Sequence, residues 1–459
     1  MTDKDIKKGD RQTLDITEIN NLGCGVAHAP DGRVVFVKGA VTGDVVDAEI
    51  IKVNKSFLVA RLVGISVPSV HREDGYCAAP LSCGGCVYRH ITYAHELELK
   101  HSYVKNAFVK AGLPEVSVLP TLSAGKVSGY RNKAQYPVTK TKDGIRAGFF
   151  ASKTHNIVPA ERCSLQNEAF EDIVGFVCRF ADEHAWSVYN EENGRGLLRH
   201  IYLRVGEQTG EIMLCLVVNG DNIPCSDEFI KEINERFPAV VGVLLSVNKK
   251  NTNVVLGERF ITLWGKDYIE DILCGLRFRI SADSFYQVNH DGAELLYSLA
   301  AKYARLTGGE LLMDLYCGTG TIGLSMASKA KKLCGVEINS SAVDCARDNA
   351  ERNGIENAEF FCADAGDRDV ILSAAGGVRP DVVVIDPPRK GSTRELAECL
   401  ASLDVPKIVY VSCDPDTLAR DCVWFSELGY LVGDVQPVDM FPRTGHVESV
   451  VCLKRQIQQ

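Results

Sequence analysis

The chain has 459 residues, which is too long for one ordinary hydrophobic core, so two or three domains are expected. The hydrophobic fraction of 46% and the charged fraction of 24% are typical of a soluble globular protein, and no apolar run reaches the ~18 residues of a membrane-spanning helix. The first residues, MTDKDIKKGD, lack the apolar core of a signal peptide, so we expect a cytoplasmic protein with no membrane partner.

The first predicted domain, residues 5–66, alternates apolar stretches with Gly and Asp turns, as in GCGVAHAPDGRVVFV and SFLVARLVGI. Short strands at this spacing predict a small closed β-barrel. An OB-like nucleic-acid-binding module and an accessory β domain both fit this pattern, and composition does not separate them.

The second predicted domain, residues 67–280, is an α+β unit in which strands such as LLRHIYLRVG and EIMLCLVVNG alternate with helical stretches. It contains a cluster of cysteines: Cys77, Cys83 and Cys86 in CAAPLSCGGC, and Cys163 in PAERCSL. Four thiolates suit either a tetrahedral zinc ion or a 4Fe–4S cluster, and the spacing does not decide between them. The C-x5-C-x2-C spacing differs from that of radical enzymes, so a structural role near the basic region is expected.

The same domain carries the positive charge of the chain. The net charge of -9 argues weakly against a nucleic-acid partner, but residues 100–162 contain eleven Lys or Arg and three acids. GYRNKAQYPV, which includes Arg131 and Lys133, and RAGFFASKTHNIVP mix basic with aromatic residues, a combination that suits phosphate contact and stacking on unpaired bases. A solvated charged face is the common explanation for such runs, but the local excess of positive charge favours RNA.

The third predicted domain, residues 281–459, alternates strands and helices from about residue 290 onward. ELLMDLYCGTGTIGLSMA, KLCGVEINSSAVDCARDNAERNG, DVVVIDPP and KIVYVSC read as βαβ units around a parallel sheet, the α/β class with a Rossmann-like arrangement. An apolar strand leads into Gly318, Gly320 and Gly323, where the backbone can approach a ligand at a helix N-terminus. With Glu337 after the next strand, this loop also satisfies the nicotinamide-dinucleotide pattern. The glycines alone do not decide whether the ligand is that dinucleotide or another cofactor.

Two later strand ends argue against a nicotinamide dinucleotide as the cofactor. VVVIDPPRKG places Asp386 and two prolines at the carboxyl end of a strand, where open α/β sheets bind ligands. VYVSCDPDTLARD ends the next strand on Cys413. A dehydrogenase offers no partner that would explain this Asp-Pro-Pro motif and this cysteine.

These motifs resemble those of class I S-adenosylmethionine methyltransferases. Together with SCDP, TGHVESV near the carboxyl end and SADSFYQVN at 281–289, they make the chain similar to the RNA 5-methyluridine methyltransferases of the TrmA/RumA type. The resemblance covers nearly the whole chain. It implies that the barrel is a TRAM domain and that the four cysteines hold an iron–sulfur cluster rather than zinc.

The resemblance also implies catalytic roles. Carbon 5 of uracil is a poor nucleophile, and a thiolate that adds to carbon 6 turns carbon 5 into an enolate carbon able to attack a methyl group. An accessible thiol at a strand end suits this step, which makes Cys413 the expected nucleophile. Glu448 matches the general base that removes the carbon-5 proton, and apolar neighbours would raise its pKa. His446 is the alternative base.

By the same resemblance, four residues contact S-adenosylmethionine, with a fifth near its adenine. The four are Gln287, Tyr316, Glu337 on the ribose, and Asp386, and the fifth is Asp364. Phe285 is implied to stack on the extruded uracil.

With a TRAM barrel and a cluster, the chain resembles the ribosomal members of the family more than the transfer-RNA members, so large-subunit (23S) ribosomal RNA is the expected substrate. A monomer is also expected. The alternatives are a transfer-RNA methyltransferase of the same chemistry and a non-catalytic RNA-binding or chaperone protein.

Overall fold

The computed structural model describes residues 6–80, 82–160 and 162–456. Residue 5, where the first predicted domain begins, and residues 457–459, where the third ends, lie outside the described residues. Among the described helices, none combines the length and the hydrophobicity that a membrane crossing requires.

The amino-terminal domain is one six-stranded sheet in the order β1-β5-β6-β4-β3-β2. Its strands are β1 (Arg11–Asp15), β2 (Glu18–Ile19), β3 (Cys24–His28), β4 (Val34–Lys38), β5 (Val45–Val53) and β6 (Phe57–Val67). The two edge strands are consecutive in the chain: the Ile16 amide donates to Asp44, and the next amide, of Thr17, donates to Val26. This bend carries the chain from one edge to the other, and alternate residues fill the apolar core.

A second sheet of seven strands forms the middle of the molecule, in the order β10-β9-β8-β11-β12-β13-β14. The elements up to its last strand are α1 (Tyr93–Lys110), β7 (Leu122–Ser123), β8 (Lys133–Thr141), β9 (Gly144–Phe150), β10 (Ile157–Pro159), α2 (Ala169–Glu183), β11 (Leu198–Val205), β12 (Ile212–Val218), α3 (Ser226–Arg236), β13 (Val240–Val247) and β14 (Arg259–Gly265). Helices α2 and α3 cover one face, where Leu203 and Leu214 lie. The other face, with Tyr202 and Met213, packs into the core of the carboxy-terminal domain.

A hairpin of β15 (Tyr268–Leu273) and β16 (Leu276–Ser281) connects the middle sheet to the carboxy-terminal domain. Its two turn residues, Cys274 and Gly275, both have positive φ (53° and 78°). Two positive φ values match the tight hairpin turn whose twist agrees with that of the strands.

The carboxy-terminal domain is an α/β sheet in the order β19-β18-β17-β20-β21-β24-β23-β7, with β22 on one end of β24. Its elements are α4 (His290–Ala304), β17 (Leu311–Leu315), α5 (Thr321–Met326), β18 (Lys332–Glu337), α6 (Ser340–Arg352), β19 (Ala358–Cys362), α7 (Arg368–Ala374), β20 (Val382–Ile385), α8 (Arg394–Ser402), β21 (Lys407–Ser412), α9 (Pro415–Glu427), β22 (Tyr430–Val432), β23 (Gln436–Asp439) and β24 (Glu448–Arg455). Strands β17 to β21 are parallel and β24 is antiparallel. The predicted three-part α/β fold class is confirmed.

One segment lies elsewhere than its position in the sequence indicates. Residues 93–123 fall within the predicted middle domain, but Val104 and Phe108 of α1 share a core with Leu418 of α9. Strand β7 extends the carboxy-terminal sheet by pairing with β23. The borders at 66/67 and 280/281 stay predictions, and the chain between them contributes to both sheets.

Candidate active site

The candidate residues meet because of the strand order of the carboxy-terminal sheet. The order reverses between β17 and β20, and open α/β sheets bind ligands at such a switch point, outside the carboxyl ends of the strands. Tyr316, Glu337 and Asp386 stand at the ends of β17, β18 and β20, and Cys413 directly follows β21. Because β24 is antiparallel, its first residue, Glu448, lies at the same edge.

The glycine loop after β17 has the backbone that a ligand site needs. Tyr316, Gly318 and Gly320 all have positive φ (63°, 54° and 80°), and Gly320 directly precedes α5. A tyrosine in this region of φ is uncommon, and such conformations cluster at functional sites. A Cβ added at Gly318 would meet no atom within 4 Å, so the loop borders open space. This loop therefore fits a ligand that approaches the backbone closely.

Glu337 faces this loop from the neighbouring strand. Its carboxylate accepts hydrogen bonds from the amide of Gly318 (3.2 Å) and from that of Asn339 (2.9 Å). Each carboxylate oxygen retains acceptor capacity for a hydroxyl group. A ribose diol is therefore a suitable ligand for Glu337.

Asp314, within β17, was not predicted as a site residue. It is buried, accepts the amide of Gly323 at 2.8 Å, and its Oδ1 atom has no partner among the described residues. A Cβ at Gly323 would come within 2.7 Å of Asp314 Oδ2, so a glycine is required there. Burial raises the pKa of Asp314 to about 7, and the charges of Asp386 and Glu337 add to this. A charged residue inside the apolar run LLMDL was the sequence signal that could have identified it.

The turn at 386–388 continues into a loop that buried groups hold in place. The Ser392 amide donates to the Tyr410 hydroxyl (3.1 Å) and to Asp421 (2.7 Å), and Tyr410 donates to Asp421 at 2.5 Å. The exposed Arg389 lies on this loop, and its positive charge lowers the pKa of both Cys413 and Glu448. Arg389 stands next to the Asp-Pro-Pro motif, but the sequence assigned it no role.

Cys413 and Glu448 are brought together by strand register. Ser412 of β21 pairs with Ser449 of β24, which places the following cysteine opposite the preceding glutamate. Cys413 is half-buried and Glu448 is 5% exposed. Among the described residues, no hydrogen bond links the thiol to the carboxylate. Both groups are therefore available to a ligand at the sheet edge.

The acids at this edge share an apolar environment that favours their neutral forms. Burial raises the pKa of Glu448 to about 8, with a further increase from the charge of Asp386 and a decrease from Arg389. Burial also raises the pKa of Asp386 to about 7. The pKa of Cys413 is raised to about 11 by burial and by the two carboxylates, against the effect of Arg389. Acids with perturbed pKa values that lie close together are typical of an active site.

The turn that leads into Glu448 is anchored by a buried ion cluster, which the sequence did not reveal. Lys100 of α1 pairs with Glu96 (2.8 Å) and Asp439 (2.7 Å), and its ammonium group also donates to the carbonyl of Phe441 (3.1 Å). All three charged side chains are at most 1% exposed. Helix α1 thus fixes the end of β23 and the turn that follows it.

The same turn connects the cysteine segment and the barrel to Glu448. The Arg443 carbonyl accepts the amides of Val87 and Tyr88, which directly follow Cys86, at 3.0 and 3.1 Å. A Cβ at Gly445 would come within 1.8 Å of the Asn21 carbonyl of the barrel. The position of Glu448 therefore depends on parts of the chain more than 300 residues away.

We expect Lys100→Met to lower the free energy of unfolding by about 3–5 kcal/mol, because removal of the cation leaves two buried carboxylates without a partner. The measurement is the thermal or urea midpoint of the full chain. Lys105→Met is the matched control, since Lys105 is an exposed residue of the same helix and its loss should change the midpoint little. Equal midpoints for the two variants would contradict this prediction.

The segment between β16 and α4 carries two further predicted residues. The Gln287 carbonyl accepts a hydrogen bond from the Asn132 amide group at 2.9 Å, which joins this segment to the start of β8. Phe285 is 65% exposed, which leaves its ring free for stacking. Asp364 is exposed after β19, and its charge contributes to the raised pKa of Tyr316.

Arg131 and Lys133 lie at the start of the middle sheet. Arg131 is half-buried, its Nε atom has no partner among the described residues, and its charge acts on His446. Burial lowers the pKa of His446, and the charges of Arg389, Lys100 and Arg131 lower it further. Burial also lowers the pKa of Lys133 to about 8. Arg131 thus lies beside the candidate active site, and Lys133 is less exposed than an ordinary surface lysine.

The four predicted metal ligands are half-buried and act on one another electrostatically. The neighbouring thiols Cys163, Cys77 and Cys83 add to the effect of burial on the pKa of Cys86, which is raised to about 12. Within the described part of the chain, no three of these Sγ atoms lie within 4.8 Å of one another. Four thiolates suit either a zinc ion or an iron–sulfur cluster.

Comparison with known proteins agrees with this geometry. The tRNA (Uracil-5-)-methyltransferase family model matches residues 92–456, and the TRAM domain model matches residues 6–63. An uncharacterized RNA methyltransferase of Clostridium acetobutylicum is 43% identical over 453 residues, covering 98% of each chain. One of Bacillus cereus is 40% identical over 441 residues, covering 95% of each chain.

The comparison with solved structures gives the same result. The crystal structure of Pyrococcus abyssi tRNA (uracil-54, C5)-methyltransferase in complex with S-adenosyl-L-homocysteine matches with a TM-score of 0.76 and 30% identity. The match covers 96% of this chain and 99% of that one. The chain therefore belongs to the tRNA (uracil-5-)-methyltransferase family and is an S-adenosylmethionine-dependent RNA uracil-C5 methyltransferase with an amino-terminal TRAM domain.

Proposed function

We propose that the protein methylates carbon 5 of a uridine in 23S ribosomal RNA, with Cys413 as nucleophile and Glu448 as general base. The observation that carries the catalytic roles is the pairing of Ser412 with Ser449, which sets a half-buried thiol opposite a buried carboxylate. The switch-point edge where they meet is also where S-adenosylmethionine fits.

S-adenosylmethionine supplies a methyl group activated on a sulfonium. For its binding, the glycine loop offers open space beside the backbone, and Glu337 retains acceptors for the ribose hydroxyls. Tyr316 and Asp386 stand at this edge, at the ends of β17 and β20. Gln287, in the segment before α4, would be a further contact to the cofactor. Asp364, whose charge acts on Tyr316, would lie toward the adenine.

The proposed chemistry begins with the thiol. Cys413 loses its proton and forms a bond to carbon 6 of the uracil, which moves electron density to carbon 5. Asp386 and Glu448 are the carboxylates whose charges act on this thiol, and each has a pKa near neutrality. Asp386 is suited to receive the thiol proton, which leaves Glu448 ionised for the later step.

The reaction ends with Glu448. Carbon 5 would bond to the methyl group as the bond from that methyl group to the cofactor sulfur breaks, with its electron pair left on the sulfur of S-adenosylhomocysteine. Carbon 5 then carries both the methyl group and its original proton, and the Glu448 carboxylate removes that proton. The electrons re-form the ring double bond as the bond between carbon 6 and Sγ breaks, which frees Cys413. Phe285, whose ring is exposed, would stack on the extruded base, and Arg131 and Lys133 would contact the RNA backbone.

Ribosomal RNA is supported by the presence of both a TRAM barrel and a four-cysteine site. Transfer RNA is the second candidate, because the similar Pyrococcus abyssi protein is a tRNA (uracil-54, C5)-methyltransferase and matches over 96% of this chain. The barrel lies within this matched length, so it does not by itself select one RNA.

The test is to incubate the protein with methyl-labelled S-adenosylmethionine and unmodified total RNA, and then to separate the RNA classes. We expect labelled 5-methyluridine in large-subunit ribosomal RNA. Label in transfer RNA alone would support the second candidate and overturn the proposed substrate. No label in either, with cofactor binding intact, would favour a non-catalytic RNA-binding protein.

We also propose that Cys77, Cys83, Cys86 and Cys163 hold a 4Fe–4S cluster. The family resemblance supports this cluster over zinc, and the thiols of Cys77, Cys83 and Cys163 are close enough to raise the pKa of Cys86. Anaerobically purified protein should contain about four iron atoms and four sulfides per chain. One zinc ion per chain without sulfide would contradict the cluster.

A further inference from the structure

A second group of potential metal ligands lies in the middle domain, outside the cysteine cluster. His184 ends α2, Cys225 precedes α3, and Glu228 lies in the first turn of α3. One ligand atom from each lies within 4.8 Å of the other two. His184 Nε2 is 3.3 Å from the Glu228 carboxylate.

The histidine is oriented as a metal ligand would be. Its Nδ1 atom is 3.0 Å from the Phe180 carbonyl, which can only accept, so Nδ1 carries a hydrogen. The ring also stacks on the Phe180 ring, with centroids 3.9 Å apart and planes 14° from parallel. A backbone carbonyl on one ring nitrogen is the arrangement that directs the lone pair of the other toward a metal. Here that other nitrogen, Nε2, faces Glu228 and Cys225.

The other two ligands are presented by the start of α3. Cys225 and Glu228 are three residues apart, so they lie on the same side of the first turn. Cys225 has φ 55°, an uncommon value for a residue with a side chain, and makes no capping hydrogen bond. Backbone strain of this kind persists where the surrounding structure imposes it.

An aromatic cluster holds the two helix ends together beneath the site. The Phe180 ring lies 5.1 Å from Phe229 of α3 and 5.8 Å from Trp186, and Phe229 lies 5.6 Å from Trp186. Phe180, Phe229 and Trp186 are at most 4% exposed. The ligands are therefore set on a packed core, and their separation does not depend on a free loop.

Three electron-pair donors that face one another are favourable when a cation lies between them. The negative end of the α2 dipole attracts a cation and the positive end of the α3 dipole opposes it, so the attraction comes from the side chains themselves. An imidazole nitrogen, a thiolate and a carboxylate, with water as the fourth ligand, are a zinc set, whereas magnesium and calcium prefer oxygen ligands alone. We propose that His184, Cys225 and Glu228 bind a divalent transition-metal ion, with zinc the preferred ion.

The position of the site indicates its role. Helices α2 and α3 cover one face of the middle sheet, and the opposite face packs on the methyltransferase core. The ion would join the end of one helix to the start of the other, on the side of the sheet away from that core. This site is separate from the proposed RNA chemistry and should stabilise the middle domain.

Cys225 supplies the test, with an internal control. Cys225 and Cys362 are both exposed thiols, and Cys362 is far along the chain in the methyltransferase domain. The full chain, with its four-cysteine site loaded first, is alkylated with iodoacetamide at increasing zinc, and the two peptides are followed by mass spectrometry. Zinc at ten times its dissociation constant should slow alkylation of Cys225 about 11-fold and leave Cys362 unchanged.

Variants separate a metal site from a simple histidine–glutamate ion pair. His184→Ala and Glu228→Gln should each abolish the zinc protection of Cys225, with His155→Ala, another exposed histidine, as the control. Circular dichroism checks that each variant is folded. Glu228→Gln keeps the size of the side chain, so it provides the test if His184→Ala unfolds. A rate of Cys225 alkylation that does not change with the zinc concentration, or zinc protection that persists in both variants, would overturn the proposal.

Discussion

A Cys413→Ala variant is expected to lose RNA methylation by more than about 10⁴-fold while it still binds S-adenosylmethionine. Without the thiol, carbon 5 of the uracil is not activated, and among the described residues no other thiol stands opposite Glu448 at the end of β21. Cofactor binding should persist, because the glycine loop and Glu337 belong to other strands. The measurement is a single-turnover methylation assay together with cofactor titration. Cys362→Ala, at an exposed cysteine, is the matched control.

The covalent step can be observed directly with RNA that carries 5-fluorouridine. The fluorine at carbon 5 cannot be removed as a proton, so the reaction should stop with the RNA covalently attached to Cys413. A complex that survives denaturing electrophoresis is expected for the wild-type protein and for Cys362→Ala. The same complex in Cys413→Ala, or methylation that survives this substitution, would show that another residue is the nucleophile.

A Glu448→Gln variant is expected to slow turnover by roughly 10²–10⁴-fold, the usual range for loss of a general base. Since Cys413 remains, the protein should still attach to unmodified RNA, and the methylated adduct should accumulate. The covalent fraction is measured by denaturing electrophoresis alongside product formation. Glu395→Gln changes an exposed glutamate of α8 and should leave both quantities unaltered. Normal turnover in Glu448→Gln would show that another group is the base, and His446 would be the first residue to test.

The pKa of Glu448 gives this variant a second signature. A base must be ionised, so with a pKa of about 8 the value of kcat/KM should rise with pH through about 8 in the wild-type protein. Glu448→Gln should lose this rise. The folded chain binds the Glu448 proton more tightly than the unfolded chain, so protonation of Glu448 stabilises the fold. This contribution to the free energy of unfolding is present at low pH and is lost as pH rises toward about 8. The substitution should remove this part of the pH dependence of unfolding.

The fold class and the place of the candidate site followed from local patterns. Alternating strands and helices after residue 290 indicated a parallel sheet, and the carboxyl ends of such strands meet at one edge. Tyr316, Glu337, Asp386 and Cys413 each stand at a strand end in the sequence, so their common edge could be predicted. The family resemblance rested on the same short motifs, and the family model confirms it.

Other parts of the site depend on contacts between distant segments. Arg389 acts on Cys413 and Glu448 because the loop after β20 is held by Asp421, and no local pattern records that contact. Lys100 reads as one charge among many in a basic segment, yet it is buried between Glu96 and Asp439. Charge in a sequence does not reveal burial, because burial depends on which surfaces pack together.

By itself the sequence determined the order of the domains, the α/β class, and the motifs that mark the ligand edge, because strand and helix periodicity and turn chemistry are local properties. The tertiary structure alone decided that α1 packs on the methyltransferase domain and that the turn before Glu448 is held by the barrel, the cysteine segment and Lys100. It also decided that His184, Cys225 and Glu228 meet. Each of these contacts joins residues tens to hundreds of positions apart, and their free energy comes from burial and charge pairing that exist only in the folded chain.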